Sequence, residues 1–332
     1  MTKPELVCPA GTPAALRTAV DAGADAVYCG FQNATNARNF PGLNFTVEEM
    51  ERSLAYAHAK GAKILLAVNT FPPAGKTDLW REAVDVGRRL GVDAFIVADI
   101  GVADYAARNC PNQRLHLSVQ AAASNPEAIR YYCREFGVRR VVLPRILTVE
   151  EIRRLGAEIP CEMETFIFGN HGLMVEGRCS LTNYVTGLST NMDGVCSPAG
   201  QVFYEPTGDG GLSSRLGTYV IDCFASGEKA GYPTICKGRY HTACRQDAYY
   251  AFEEPVSLNL SALLADLIGC GVHAFKIEGR QRSRAYVRAV VAAFRRSVDA
   301  ILAGRDPGHA DLVALTEGSK ETEGAFKTKA WR

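Results

Sequence analysis

Gly91-Val-Asp-Ala-Phe-Ile-Val-Ala-Asp99 sets a glycine before a short apolar run and closes it with a polar residue. The phrase returns as Gly61-Ala-Lys-Ile-Leu-Leu-Ala-Val-Asn69, Gly137-Val-Arg-Arg-Val-Val-Leu-Pro144 and Gly271-Val-His-Ala-Phe-Lys-Ile-Glu278. Gly23 stands ahead of Asp25-Ala-Val-Tyr-Cys-Gly30 in the same way. Glycine ends a helix by taking the left-handed conformation, and an unbroken apolar run marks a strand covered on both faces. Leu6-Val-Cys-Pro9, Leu115-His-Leu-Ser-Val119 and Cys161-Glu-Met-Glu-Thr-Phe-Ile-Phe168 bring the set to eight β-segments. Helical spacing fills the intervals, as at Ala15, Leu16, Ala19 and Val20. Repeated βαβ units demand right-handed crossovers and a parallel sheet. Eight of them predict an α/β fold, a (β/α)8 TIM-like barrel of irregular form; a doubly wound open sheet is the alternative.

Polar residues gather just after these strands: Asn36 and Arg38, Asn69 and Thr70, Asp99, Ser118 through Gln120, Arg145, and Lys276 through Arg280. In a barrel that places them at the C-terminal face, where active sites of this fold lie. Asp99, ahead of Ile100-Gly101, reads as a helix cap. Lys276 and Glu278 are the candidate catalytic residues, since the strand end carries an acid between basic groups. Arg38, Arg145 and Arg280 are the candidate substrate-binding residues, because a guanidinium is always charged and grips a carboxylate with two parallel hydrogen bonds.

Residues 1–168 hold seven βα units, and 266–332 hold the last strand, a helix and the tail, within one integrated domain. Between them, 169–265 is far too long for a plain connection, and loops beyond about 15 residues usually carry function. Three cysteines fall inside it, in Glu176-Gly-Arg-Cys179, Gly194-Val-Cys196-Ser-Pro and Pro233-Thr-Ile-Cys236-Lys-Gly-Arg239. Thiolates offered from Gly- and Pro-rich loops suit an iron–sulfur cluster or zinc. Buried cysteines acting as small hydrophobes are the bland reading. A zinc clip on three cysteines and a histidine, in a non-enzymatic binding subunit, is another. Beyond the last strand, Arg282 to Gly304 reads as one amphipathic helix with Val287, Val290, Val291 and Phe294 inward. Trp331 is expected to pack back on the body.

Charged residues make up 22% of the chain and apolar ones 47%, with a net charge of +1. That interleaved balance gives no support to binding a phosphate backbone. The first nine residues lack an apolar stretch with a cleavage site, and no run of about 18 apolar residues occurs. Eleven cysteines without a leader point to free thiols or metal ligands in a reducing compartment, so the protein is expected in the cytoplasm. Neither His-Glu-x-x-His nor Gly-x-Ser-x-Gly is present, which argues against proteolysis.

Leu6-Val-Cys-Pro-Ala-Gly11, Gly23-Ala-Asp-Ala-Val-Tyr28, Thr35-Asn-Ala-Arg38, Gly42-Leu-Asn-Phe45, Val141-Val-Leu-Pro-Arg145, Cys196-Ser-Pro198, Gly231-Tyr-Pro-Thr-Ile-Cys-Lys-Gly-Arg239 and Lys276-Ile-Glu-Gly-Arg-Gln-Arg-Ser283 together resemble the collagenase-like peptidase family, U32, over nearly the whole chain. Within it the phrases are nearest to a ubiquinone-biosynthesis (UbiU-like) branch. The resemblance implies an oxygen-independent hydroxylase subunit, paired as a heterodimer with a paralogous UbiV-like partner. Its small-molecule ligands would be a ubiquinone precursor and a prephenate-like carboxylate as oxygen donor. Relatives hydroxylate RNA bases, but the neutral charge and missing basic patch disfavour nucleic acid as a partner here. The resemblance also implies one 4Fe–4S cluster on four cysteines, three of which map onto Cys179, Cys196 and Cys236. The fourth slot is Gly172, next to His171. His171 as ligand, a cysteine borrowed from elsewhere, an open iron and loss of the cluster are the alternatives.

Overall fold

The computed structural model describes residues 3–176, 179–243, 245–308, 312–316, 318 and 320–327. Trp331 lies outside them. Seven parallel strands come first, β1 (Glu5–Pro9), β2 (Ala26–Cys29), β3 (Lys63–Val68), β4 (Ala94–Val97), β5 (Arg114–Leu117), β6 (Arg140–Val142) and β7 (Glu162–Asn170). Six helices alternate with them: α1 (Pro13–Asp21), α2 (Val47–Ala59), α3 (Asp78–Leu90), α4 (Ile100–Asn109), α5 (Pro126–Phe136) and α6 (Val149–Glu158). The excursion then carries α7 (Leu181–Thr186), an antiparallel sheet of β8 (Val202–Pro206), β9 (Leu212–Leu216) and β10 (Tyr219–Phe224), and a hairpin of β11 (Arg239–Thr242) and β12 (Arg245–Tyr250). Next come β13 (Ser257–Asn259), α8 (Leu264–Gly269), β14 (Ala274–Ile277), α9 (Arg284–Leu302) and the short β15 (Glu321–Thr322).

β14 pairs in parallel with β1 (Glu5 opposite Ala274) and with β7 (Ala274 opposite Glu164), so eight strands close into a TIM-type barrel. The open-sheet alternative is thereby excluded. The strand expectations lie within a few residues of the observed elements; Val119, expected as strand, sits in a 3-10 turn instead. There the Ser118 side chain accepts from the Gln120 N–H and turns the chain out of β5. Asp99 caps α4, accepting from the N–H groups of Gly101 and Val102. α9 buries Val287, Val290, Val291 and Phe294, as its spacing predicts.

Two glycines allow close approaches that position the barrel mouth. A Cβ at Gly11 would stand 2.0 Å from the Arg280 carbonyl oxygen. Gly169, at φ +122°, lets β7 run past the backbone of Glu278, whose N–H donates to the Phe168 carbonyl. No helix among the described residues is long and apolar enough to cross a membrane.

Gly87, on the buried face of α3, makes a sharp test of core packing. Alanine there gains about 1 kcal/mol of helix propensity. Its Cβ, however, would sit 2.5 Å from the buried Phe95 ring and 2.6 Å from Leu66 Cδ2. Overpacking of that kind costs about 1–3 kcal/mol, and contacts this short belong at the upper end. Gly87→Ala is therefore expected to lower the urea midpoint, although the same change at an exposed helical glycine would raise it.

Candidate active site

Alternation along the strands gives the barrel interior two polar levels joined through Lys276, beside an apolar cluster of Val7, Ala26, Leu65, Ala94, Ile96 and Ala274. At the lower level β6 and β7 present Arg140 and Glu164 inward. Arg140 pairs with Glu5 at 2.7 Å, Glu162 at 2.7 Å and Glu164 at 3.3 Å. Lys276 of β14 reaches Glu164 at 2.6 Å while its ammonium lies 4.0 Å from the centre of the Tyr28 ring. Burial pushes the Glu164 carboxyl up, but Lys276 and Arg140 outweigh it and hold it below the usual range. Burial lowers Lys276, with Glu164 opposing. His116 shares this interior with both ring nitrogens unpartnered; burial, then Arg140, holds it neutral, well below the ordinary histidine value.

The upper level is a polar pocket lined by Tyr28, Arg38, Asn69, Ser118, Gln120, Arg145, Lys276, Glu278 and Arg280. The structure thus brings together all five of the candidate catalytic and binding residues read from the strand ends. Glu278 is the link. Its Oε1 accepts from Arg38 at 2.7 Å and its Oε2 from Arg145 at 2.5 Å. Burial raises the Glu278 carboxyl, but Arg145 and Arg38 prevail and keep it below the usual carboxylate range. Arg145 lies over the Phe166 ring, 3.6 Å from its centre, and also pairs with buried Glu176. Burial raises Glu176 even against Arg145.

Arg280 differs from its neighbours. It is buried, no carboxylate among the described residues lies within ion-pair distance, and its hydrogen bond to Asn44 Oδ1 is long at 3.4 Å. Burial lowers it to about 10, an unusual value for a guanidinium. A buried guanidinium with no carboxylate at ion-pair distance favours an anion.

The cysteine loops sit on this mouth. Gly194 packs so closely on the chain after β2 that a Cβ would lie 2.1 Å from the Asn36 carbonyl oxygen, and the Gly194 carbonyl accepts from the Asn39 N–H at 3.0 Å. The Cys179 N–H donates to Asn191 Oδ1, and Asn191 in turn donates to Gln120 in the pocket wall. Cys196 Sγ lies 3.7 Å from the Thr182 hydroxyl. Burial pushes the Cys236 thiol up, followed by the charge of Glu253, with Cys196 and Cys179 adding to it. The three thiols therefore share one electrostatic neighbourhood.

Among the described residues, no three His, Cys, Asp or Glu side chains are gathered as a metal-ion site. Two thiolates on one zinc stand about 3.8 Å apart, from a Zn–S bond of about 2.3 Å. A cubane spreads its ligands over the corners of a larger cage. Three thiols offered from curling loops are donors of the type an iron–sulfur cluster takes. His171 is buried with both ring nitrogens unpartnered; burial, then Arg145 and Lys237, lowers it to about 4, so the ring is neutral.

Glu176, Arg140, Glu164 and Tyr28 were not singled out by sequence. The alternating Glu162-Met-Glu164 in a strand was the available signal for the lower level, since alternate residues of a barrel strand point inward. Nothing local marks Glu176, whose partner lies 31 positions earlier.

An arginine-rich mouth on a parallel barrel, roofed by cysteine loops, defines the class: a TIM-barrel protein with its charged pocket at the C-terminal end of the strands. The chain belongs to peptidase family U32, whose profile matches residues 11–330. It is 32% identical over 301 residues to tRNA hydroxylation protein P1 of Bacillus subtilis, covering 91% of this chain and 64% of that protein. It is 31% identical over 338 residues to tRNA hydroxylation protein P of Escherichia coli, covering 96% and 72% respectively. A collagenase of Porphyromonas gingivalis is 28% identical over 311 residues, 90% of this chain and 66% of that one. The chain spans 64% of the length of the Bacillus relative.

Two measurements probe the interior charges. Glu278→Ala leaves Arg38 without its carboxylate and Arg145 with Glu176 alone; breaking a buried pair costs about 3–5 kcal/mol, and the partial exposure of Arg38 puts the expected loss near 3 kcal/mol, read from urea unfolding. His116 has a folded pKa below its unfolded value of about 6.5, so its contribution is complete above that pH and is lost as pH falls below it. The drop in urea midpoint between about pH 7 and pH 5 is expected to shrink in His116→Leu; an unchanged drop would assign the titration elsewhere.

Proposed function

We propose that this chain is an iron–sulfur hydroxylase subunit whose barrel mouth binds a small carboxylate serving as oxygen donor. The buried guanidinium of Arg280, with no carboxylate at ion-pair distance among the described residues, is the observation that carries the reading. Arg38 and Arg145, held side by side on Glu278, supply two further guanidinium groups at the same opening. In this reading Glu278 stays ionised and positions the two arginines. Lys276 keeps a proton on its Nζ, steadied by Glu164, at the pocket floor. Tyr28 remains protonated because burial raises it far above neutral pH, and its hydroxyl donates to the Ile277 carbonyl at 3.0 Å, which fixes the ring in the pocket wall. Cys179, Cys196 and Cys236 would hold a 4Fe–4S cluster, which supplies electron transfer and Lewis acidity beside the mouth. The names of the two hydroxylation relatives support a hydroxylase.

The acceptor we propose is the ring of a ubiquinone precursor, handled together with a UbiV-like partner in the cytoplasm, without dioxygen. Those relatives also favour a second reading, in which the acceptor is an RNA base. Anaerobic incubation of the complex with prephenate and either acceptor separates the two by mass spectrometry, through which acceptor gains an oxygen. Arg280→Ala tests the mouth directly. Hydrogen bonds to charged groups contribute about 1.5–3 kcal/mol, so prephenate affinity measured by calorimetry should fall about 10- to 150-fold. Retention of full affinity in a folded Arg280→Ala protein would remove Arg280 from the donor site.

A further inference from the structure

Gly172 removes a thiolate from the ligand pattern, and a carboxylate stands against the residues that follow it. Oε1 of Glu253 accepts from the backbone N–H groups of Leu173 and Met174 at 2.8 and 2.7 Å. The Glu253 backbone N–H donates to the Cys236 carbonyl at 3.0 Å. One residue therefore ties the loop after the glycine slot to one of the three cysteines. Its second oxygen, Oε2, is buried and has no hydrogen-bond partner among the described residues. No lysine or arginine among them pairs with it either.

A buried carboxylate oxygen without a donor is costly, because desolvation is not offset by any contact. Such an atom is retained where something absent from the polypeptide completes it. Glu253 is also the strongest charge acting on the Cys236 thiol, ahead of Cys196 and Cys179. Carboxylate is a competent iron ligand, as in two-histidine, one-carboxylate iron sites. His171 is placed differently: its ring packs on Gly324, where a Cβ would stand 2.6 Å from Cε1, and lies in the field of Arg145 and Lys237.

We propose that Oε2 of Glu253 is the fourth ligand of the cluster carried by Cys179, Cys196 and Cys236, replacing the thiolate that Gly172 cannot supply. This rests on the cluster reading above. A carboxylate holds iron less firmly than a thiolate, so the iron on Glu253 is the exchangeable corner of the cage.

The test uses the full chain, reconstituted anaerobically with ferrous iron and sulfide, and reads iron, acid-labile sulfide and EPR. Wild type is expected to bind about four irons per chain and to lose about one on mild oxidation, leaving a 3Fe–4S signal. Glu253→Gln keeps the shape and the acceptor for Leu173 and Met174, so its metal-free melting point should be unchanged while it assembles only about three irons. Glu253→Cys should keep about four through the same oxidation, and His171→Ala should behave as wild type. If Glu253→Gln and Glu253→Cys match the wild-type iron count and spectrum throughout, Glu253 is not a ligand and the cluster reading stands. Glu253 is equally ruled out if His171→Ala is the variant that loses iron. If wild type takes up no sulfide-bearing iron, the cluster reading itself fails and the ligand assignment falls with it.

Discussion

Two guanidinium groups that arrive from strands four places apart around the barrel, Arg38 after β2 and Arg145 after β6, meet on the single carboxylate of Glu278. Without Glu278, Arg38 would be a desolvated cation and Arg145 would keep only Glu176. The carboxylate makes their proximity tolerable, because a buried charge needs both an opposite charge and hydrogen bonds to remain ionised. From this clamp the other features follow outward. Arg145 extends to Glu176 and so pins the start of the excursion, while the chain carrying Arg38 receives the Gly194 loop. The roof and the pocket wall are thus parts of one charge network.

The barrel was legible in the sequence because each βα unit repeats the same local chemistry: a glycine that closes a helix, then a run apolar on both faces. The strand ends were legible for the same reason, since a polar residue directly after such a run can only lie on one face of the barrel. Arg38, Arg145, Lys276, Glu278 and Arg280 were found that way. The excursion was visible only as an excess of length. Its β8–β12 strands are short, half exposed and paired over short range, so they show no burial pattern to read. Glu253 escaped notice because its significance lies in one orphaned oxygen, and hydrogen-bond satisfaction is a property of the folded chain. Glu176 is similar: an acid in a glycine-rich loop looks solvated until the arginine it meets is placed.

The two polar levels differ in what they leave unsatisfied. At the lower level Arg140 and Lys276 are tied by ion pairs to Glu5, Glu162 and Glu164, and Lys63 and Arg114 add further pairs to Glu5 and Glu162, so every charge there has an opposite partner. Above it, two acids, Glu278 and Glu176, face three arginines. The mouth therefore carries more guanidinium groups than carboxylates, whereas the acids beneath it are all ion-paired.

Closure by β14 has a kinetic side. β1 and β7 both wait for a strand that begins about a hundred residues after β7 ends. At synthesis rates of about 5–20 residues per second, the ribosome spends roughly 5–20 s making that interval. Through it, the emerging seven-stranded sheet carries two unpaired parallel edges, the surfaces most prone to join a neighbouring chain. Glu5 on β1, with Glu162 and Glu164 on β7, are the charges that interrupt those otherwise apolar edges. The nascent chain therefore depends on prompt completion, and slow codons within the cysteine-bearing segment would lengthen its exposure to aggregation.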